Sequence, residues 1–223
     1  MADAHALPAG SPPELQHQFV DLEAQREASS LGMWIFLVTE VLFFGGMFTA
    51  YVVYRSAYRR AFEGASNLLD IRLGAFNTAV LILSSLTMVL AVWAASQGRK
   101  NLIIPFLVAT ILLGGTFLGV KVVEYTQKFV HHEVPGPHFL VPEGLPRQSE
   151  LFFSLYFCMT GLHALHMIIG IGLLLWLIVR ARRGAFSVRY NTPVDMVGLY
   201  WHFVDIVWIF LFPLLYLLGR HAL

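Results

Sequence analysis

The chain has 223 residues, of which 57% are hydrophobic and 13% charged, with a formal net charge of +1. Its mean hydropathy is +0.65. That balance excludes an ordinary soluble domain and points to a polytopic membrane protein, and the near-zero charge gives no reason to expect nucleic acid as a partner. One cysteine, Cys158, excludes an internal disulfide or a multi-cysteine metal site.

Residues 1–30 read as a polar N-terminal tail, extended around Pro8, Pro12 and Pro13 and helical from about Glu14 to Ala28. Ser29 or Ser30 is placed to cap the first membrane helix. No cleavable signal is expected, because the first apolar run begins near Leu31 behind an acidic rather than a basic segment. The stretch 31–55 is nearly all apolar with Glu40 at its middle. About 20 apolar residues cross the hydrocarbon core, and a carboxylate there costs a few kcal/mol or more. Glu40 must therefore be neutralised, paired or turned to a polar seam. Its own turn offers Phe36, Phe43 and Phe44, so the partner comes from another helix.

Five spans are expected, at 32–54, 75–96, 102–125, 150–179 and 194–218, in a five-helix membrane domain over 31–223. All are too long for strands, and none alternates as a barrel strand does. Pro105 falls in the first turn of the third span, Pro193 precedes the fifth, and Pro213 is expected to kink it. An odd number of spans puts the termini on opposite sides. Outside the spans each side carries seven Lys and Arg, so the positive-inside rule does not orient the chain. No internal repeat of a transporter type is visible. The loop 126–148, rich in Pro, Gly and His, reads as an ordered cap.

The polar residues inside the spans form the candidate site. Lys121 and Glu124 share a helical face near the end of the third span, where a local ion pair at the interface is the simplest reading. His163 and His166 share a face of the fourth, with Gly161, Gly170 and Gly172 allowing close helix approach. His202 and Asp205 share a face of the fifth, between Trp201 and Trp208. Such a set suits a haem or metal site, a proton path, or structural hydrogen bonds between helices. A di-iron carboxylate site is excluded, since Glu-x-x-His occurs once, at Glu14 and His17 in the tail. At 1.5 Å per residue Glu40 lies about 12 Å into its span, His202 at a similar depth, and His166 at about 20 Å. Either histidine can reach Glu40, and depth does not choose.

Five segments resemble subunit III of the haem-copper respiratory oxidases: WIFLVTEVLFFGG (34–46), FNTAVLILSS (76–85), Glu124-Tyr125, TGLHALHMIIG (160–170) and YWHFVDIVWIFLF (200–212). They fall in the family's order and touch every span. The resemblance implies an all-α helical bundle with the N-terminus inside and the C-terminus outside. It implies no catalytic residue, metal or cofactor in this chain, with haem and copper held by the partner catalytic subunit I and subunit II in the same complex. Relative to the usual seven spans, the first two are missing, as in the short bacterial form, in a bacterial plasma membrane. Glu40 matches the family's intramembrane glutamate and His166 the histidine near it. Arg180 is spaced from Tyr200 like an arginine that holds a phospholipid head group, with Arg182 and Arg183 at the same level. Asp195 matches a family acid, whereas Lys121 departs from the apolar or amide residue expected there. The implied function is a non-redox accessory subunit of a proton-pumping terminal oxidase. It would stabilise the catalytic subunit, bind structural lipid and support proton uptake. The electron donor, cytochrome c or quinol, is set by another subunit. The alternative is a haem-binding membrane cytochrome subunit, against which the lack of a paired-histidine pattern argues.

Overall fold

The structure, a computed structural model, describes residues 15–137 and 139–217; the expectations for the first fourteen residues, including Glu14, and for Leu218 and Arg220 lie outside them. Six α-helices run in order: α1 Leu22–Ala57, α2 Arg59–Asn67, α3 Ile71–Ser96, α4 Lys100–Val130, α5 Ser149–Arg182 and α6 Thr192–Phe212, followed by a π-helical turn, Pro213–Leu217. Among the described residues there is no strand, only an isolated bridge between Ser187 and Tyr190. Five of the helices are long and apolar enough to cross a membrane, the last including the π turn.

Helix α1 starts well before the apolar run. Asp21 caps it, its carboxylate accepting from Ala24 N at 2.7 Å, and Leu22, Glu23, Ala24 and Gln25 continue it without a breaker. The expected serine cap is therefore corrected: Ser29 lies inside the helix and donates back to Gln25 O at 2.8 Å. At 36 residues α1 is about 54 Å long, which exceeds the hydrocarbon thickness, so its first turns stand clear of the apolar layer.

Tyr58 ends α1, and the chain turns into α2, an element the sequence reading does not contain. Its buried face is Ala61, Phe62, Ala65 and Ser66, and it caps one end of the bundle against α5 and the π turn. Asp70 then caps α3 through Arg72 N at 2.8 Å. Gly98, at φ +67°, permits the tight α3–α4 hairpin with Arg99 N bonded to Ala94 O at 2.8 Å. Pro193 sits in the first turn of α6, where its missing N–H costs nothing. Pro213 has no N–H to give Ile209 O, and the expected kink takes the form of a widened π turn.

Helix α6 is the axis, packed by α3, α5 and α1, and α4 closes against α3 and α5. Trp201 on α6 is fully buried between two glycines: a Cβ at Gly114 would stand 2.8 Å from its ring and one at Gly170 2.9 Å. Gly170 thus serves the close approach expected of it. Gly172 faces open space. The outer face of α1, with Trp34, Ile35, Val38, Val41 and Leu42, is uncovered by the chain. The π turn is held from three sides. Tyr51 of α1 donates to Leu214 O at 2.8 Å, Ser66 of α2 to Leu215 O at 2.6 Å, and Tyr216 points into the core. Leu145 of the loop after α4 lies over Gly64 of α2.

Candidate functional site

The intramembrane polar residues separate into distinct groups. Glu40 of α1 meets His166 of α5, with Oε2 3.2 Å from Nε2. His166 Nδ1 lies 2.8 Å from Leu162 O. A carbonyl can only accept, so Nδ1 carries a hydrogen, and the bond between Nε2 and the carboxyl then needs one proton, held by either partner. The pair is mostly buried, with side-chain exposures of 13% and 18%. Phe44 stands edge-on to the imidazole at 5.4 Å, and Tyr200 stacks at 6.4 Å while donating to His166 O at 3.0 Å.

His202 takes no part in that pair. Its Nδ1 lies 2.7 Å from Ser85 Oγ on α3. Asp205, one turn along α6, is 3% exposed, and neither carboxyl oxygen has a hydrogen-bond partner in the chain. His163 faces yet another way. Fully buried, it donates from Nε2 to Val204 O at 3.1 Å and lies between the rings of Phe117 and Trp208, 5.3 Å from each. Spacing of three put His163 and His166 on one helical face, but the first turns to α6 and the second to α1.

Lys121 and Glu124 form the expected ion pair at 2.8 Å, enclosed by the chain, each side chain 4% exposed. Two features bury it. Helix α4 continues to Val130 instead of ending near Tyr125, and the π turn folds Tyr216 over the pair. Lys121 Nζ donates to Tyr216 Oη at 2.7 Å, which donates to Glu124 Oε1 at 2.5 Å. The ammonium also stands 4.6 Å from the Trp208 ring, 5.3 Å from Tyr216 and 5.4 Å from Tyr156. Each of its hydrogens thus faces a carboxylate, a hydroxyl or a π cloud.

These groups do not converge. Among the described residues no three His, Cys, Asp or Glu side chains form a group that could hold a metal ion, and His163, His166 and His202 each have a hydrogen-bond partner within the chain.

The family model for cytochrome c oxidase subunit III matches residues 17–220. The chain belongs to that family. It is 34% identical over 191 residues to cytochrome c oxidase subunit 3 of Thermostichus vulcanus, covering 85% of this chain and 87% of the relative. It is 30% identical over 194 residues to a probable quinol oxidase subunit 3 of Staphylococcus haemolyticus, covering 86% and 90%. It is 29% identical over 219 residues to cytochrome bo(3) ubiquinol oxidase subunit 3 of Pseudomonas aeruginosa, covering 98% and 95%. Membership in a respiratory-oxidase subunit family implies partner subunits, and the five long apolar helices are those of a multi-pass membrane protein.

At the end of this subunit III chain that carries the α1 N-terminus, Arg180 closes α5. Its Nε is buried without a partner, and its guanidinium lies 5.5 Å from the Trp176 ring. It lines a pocket of about 590 Å³ with Gln25, Ser29, Trp176, Tyr190 and the segment before α1. Arg182 and Arg183 are exposed beside it. Asp195 lies 4.0 Å from Arg26 of α1.

Ser85 and Tyr216 are the partners that sequence reasoning missed. Ser85 had a signal: Asn77, Thr78, Ser84, Ser85 and Thr87 give α3 a density of amide and hydroxyl groups that a lipid-facing helix does not need. All five bond to other helices: besides Ser85 to His202, Asn77 bonds to Phe117 O, Thr78 to Trp208, Ser84 to Trp201 and Thr87 to Thr110. Tyr216 had none, since its place depends on the π turn.

Proposed function

We propose that this subunit III acts as the non-redox accessory subunit of a proton-pumping terminal oxidase in a bacterial plasma membrane, stabilising the catalytic subunit, holding structural lipid and supporting proton uptake. Haem and copper belong to the catalytic subunit I, with subunit II in the same complex. The 31–223 region forms the membrane domain, N-terminus inside and C-terminus outside. The names of the relatives include both quinol and cytochrome c oxidases, and the donor is a property of the partner subunits.

The observation that carries this reading is the Glu40–His166 pair. It joins the least covered helix of the bundle, α1, to α5, and its geometry holds one proton at the edge of the chain rather than ligating a cofactor. The Arg180 pocket supports the lipid role. It presents an unpartnered, partly buried guanidinium nitrogen, the donor a phosphate oxygen accepts from, with Arg182 and Arg183 at the level where each basic residue gains about 1 kcal/mol from anionic lipid.

Depletion of the subunit from the complex tests the reading. Haem and copper per complex should be unchanged and initial oxygen reduction measurable. Turnover should fall as pH rises, and the enzyme should inactivate over repeated cycles. Loss of a haem or copper equivalent, or a Soret band in the isolated subunit, would make this a cofactor-binding chain.

A further inference from the structure

Arg26 of α1 and Asp195 of α6 stand 4.0 Å apart. That is too far for a hydrogen bond, which needs about 3.2 Å or less. Among the described residues neither side chain makes one, so the guanidinium keeps its donors and the carboxylate its lone pairs. Arg26 and Ser30, one turn apart on α1, line two cavities at once. The first, of about 320 Å³, runs between α1, α3 and α6 and is walled by Val89, Val92 and Leu199, with Asp195 and His202 also in its lining. Those last two are about 10 Å apart along α6. Gly198 explains the opening: a Cβ there would stand 2.9 Å from Val92, so α3 and α6 touch, while α1 packs on α6 and α5. The second cavity, of about 560 Å³, has Glu23, Glu27 and Arg189 in its lining and reaches back to Leu22 at the start of α1. A cavity with charged walls thus adjoins one with apolar walls.

We propose that this double cavity binds an aminophospholipid, with its phosphate on Arg26 and Ser30, its primary ammonium on Asp195 and an acyl chain along Val89, Val92 and Leu199. The charges of the polar cavity select the head group. Arg26 and Arg189 share the walls with three carboxylates, those of Glu23, Glu27 and Asp195. A lipid of net negative charge would be attracted by the two cations and repelled by the three anions. A zwitterion gains from both signs. Its phosphate oxygens accept from a guanidinium and a hydroxyl, and its ammonium donates to a carboxylate. A quaternary choline nitrogen has no hydrogen to donate, and a glycerol head group has no cation.

The site is distinct from the Arg180 pocket. Gln25 and Ser29 line that pocket, whereas Arg26 and Ser30 line this one, and Met196 reaches both. Successive residues of a helix point to different sides, so α1 stands between the two. A second lipid site extends the structural-lipid role proposed above and does not depend on the Arg180 contact.

The test uses the assembled oxidase in detergent. It is offered phosphatidylethanolamine, phosphatidylcholine or phosphatidylglycerol with the same oleoyl chains, and bound lipid is counted by native mass spectrometry. Wild type should hold the ethanolamine lipid about tenfold more tightly than the other two, which is what one hydrogen bond to a charged group contributes. Asp195→Asn should erase that preference, and Asp195→Lys should turn it toward phosphatidylglycerol. Arg26→Gln should weaken the ethanolamine lipid, as should Leu199→Trp, which fills the apolar cavity and removes no charge. Arg180→Ala, in the other pocket, should leave the preference in place. If the Asp195 variants do not assemble, the wild-type order and Arg26→Gln decide. Equal binding of the three lipids by wild type, a preference that survives Asp195→Asn, or indifference to Arg26→Gln would overturn the assignment. Subunit depletion is read by metal content and cycling, so the accessory role and this site can fail separately.

Discussion

Replacing Lys121 by Met tests how the bundle tolerates a full charge in its core. Lys121 is 3% exposed, and its ammonium holds Glu124 at 2.8 Å and Tyr216 at 2.7 Å. Removing one member of such a pair leaves the other as a lone buried charge, at a cost of about 3–5 kcal/mol. Loss of the ammonium over Trp208, worth up to about 2 kcal/mol when desolvated, falls within the same perturbation and sets the upper end. For a chain of this size each kcal/mol shifts the midpoint of unfolding by about 2–4 °C. Lys121→Met should therefore lower it by roughly 6–20 °C. The double variant Lys121→Met, Glu124→Gln removes both charges and keeps a carbonyl for the Tyr216 hydroxyl. Replacing a buried pair by neutral groups is often neutral or stabilising, so the double variant should recover most of the loss. The assay is the temperature at which the subunit leaves the purified complex, followed on native gels for wild type, both single variants and the double. A double variant as unstable as the two single losses combined would refute the argument, because it would show that the residues act by shape and not by mutual charge.

Glu40→Gln retains a donor for His166 Nε2 and should change stability little, whereas Glu40→Leu strands that nitrogen and should cost about 1–3 kcal/mol; thermal release of the subunit separates them, and equal losses would count against the pair. Arg180→Ala should lower the tightly bound phospholipid per complex measured by mass spectrometry after detergent exchange, and an unchanged lipid count would remove the head-group assignment. Gly170→Ala drives a Cβ to 2.9 Å from the Trp201 ring and should cost about 1–3 kcal/mol by overpacking. Gly172→Ala, facing open space, should be silent within the subunit, and equal effects at the two positions would contradict the packing described.

The five long helices were legible because nothing but a membrane span needs such runs of apolar residues; for Glu40, depth left both His166 and His202 in reach, and the family resemblance pointed to His166, which is the partner found. Which way each helix turns was not legible. Lipid tails are as apolar as Leu, so a face buried in protein and a face bathed in lipid carry the same side chains. That is why His163 and His166 looked like one site and serve two interfaces. Helix α2 was missed because nine residues with Arg59, Arg60, Glu63 and Asn67 raise no hydropathy signal; its cue was the short stripe of Ala61, Phe62 and Ala65. The burial of Lys121 was not foreseen for another reason. What covers it, the π turn, follows from the missing N–H of Pro213 and not from any pattern of hydrophobicity.

That turn also bears on the order in which the molecule is made. Tyr51 in the first long helix, Ser66 in the second helix and Lys121 in the fourth all complete their bonding on residues 214–216. A ribosome delivers those residues after every other described part of the chain. Until then the early helices wait with two hydroxyls short of their acceptors and with the Lys121–Glu124 pair uncovered. The bundle behaves like a purse whose drawstring is threaded after the cloth is sewn: its charged interior closes only once every long helix has been made.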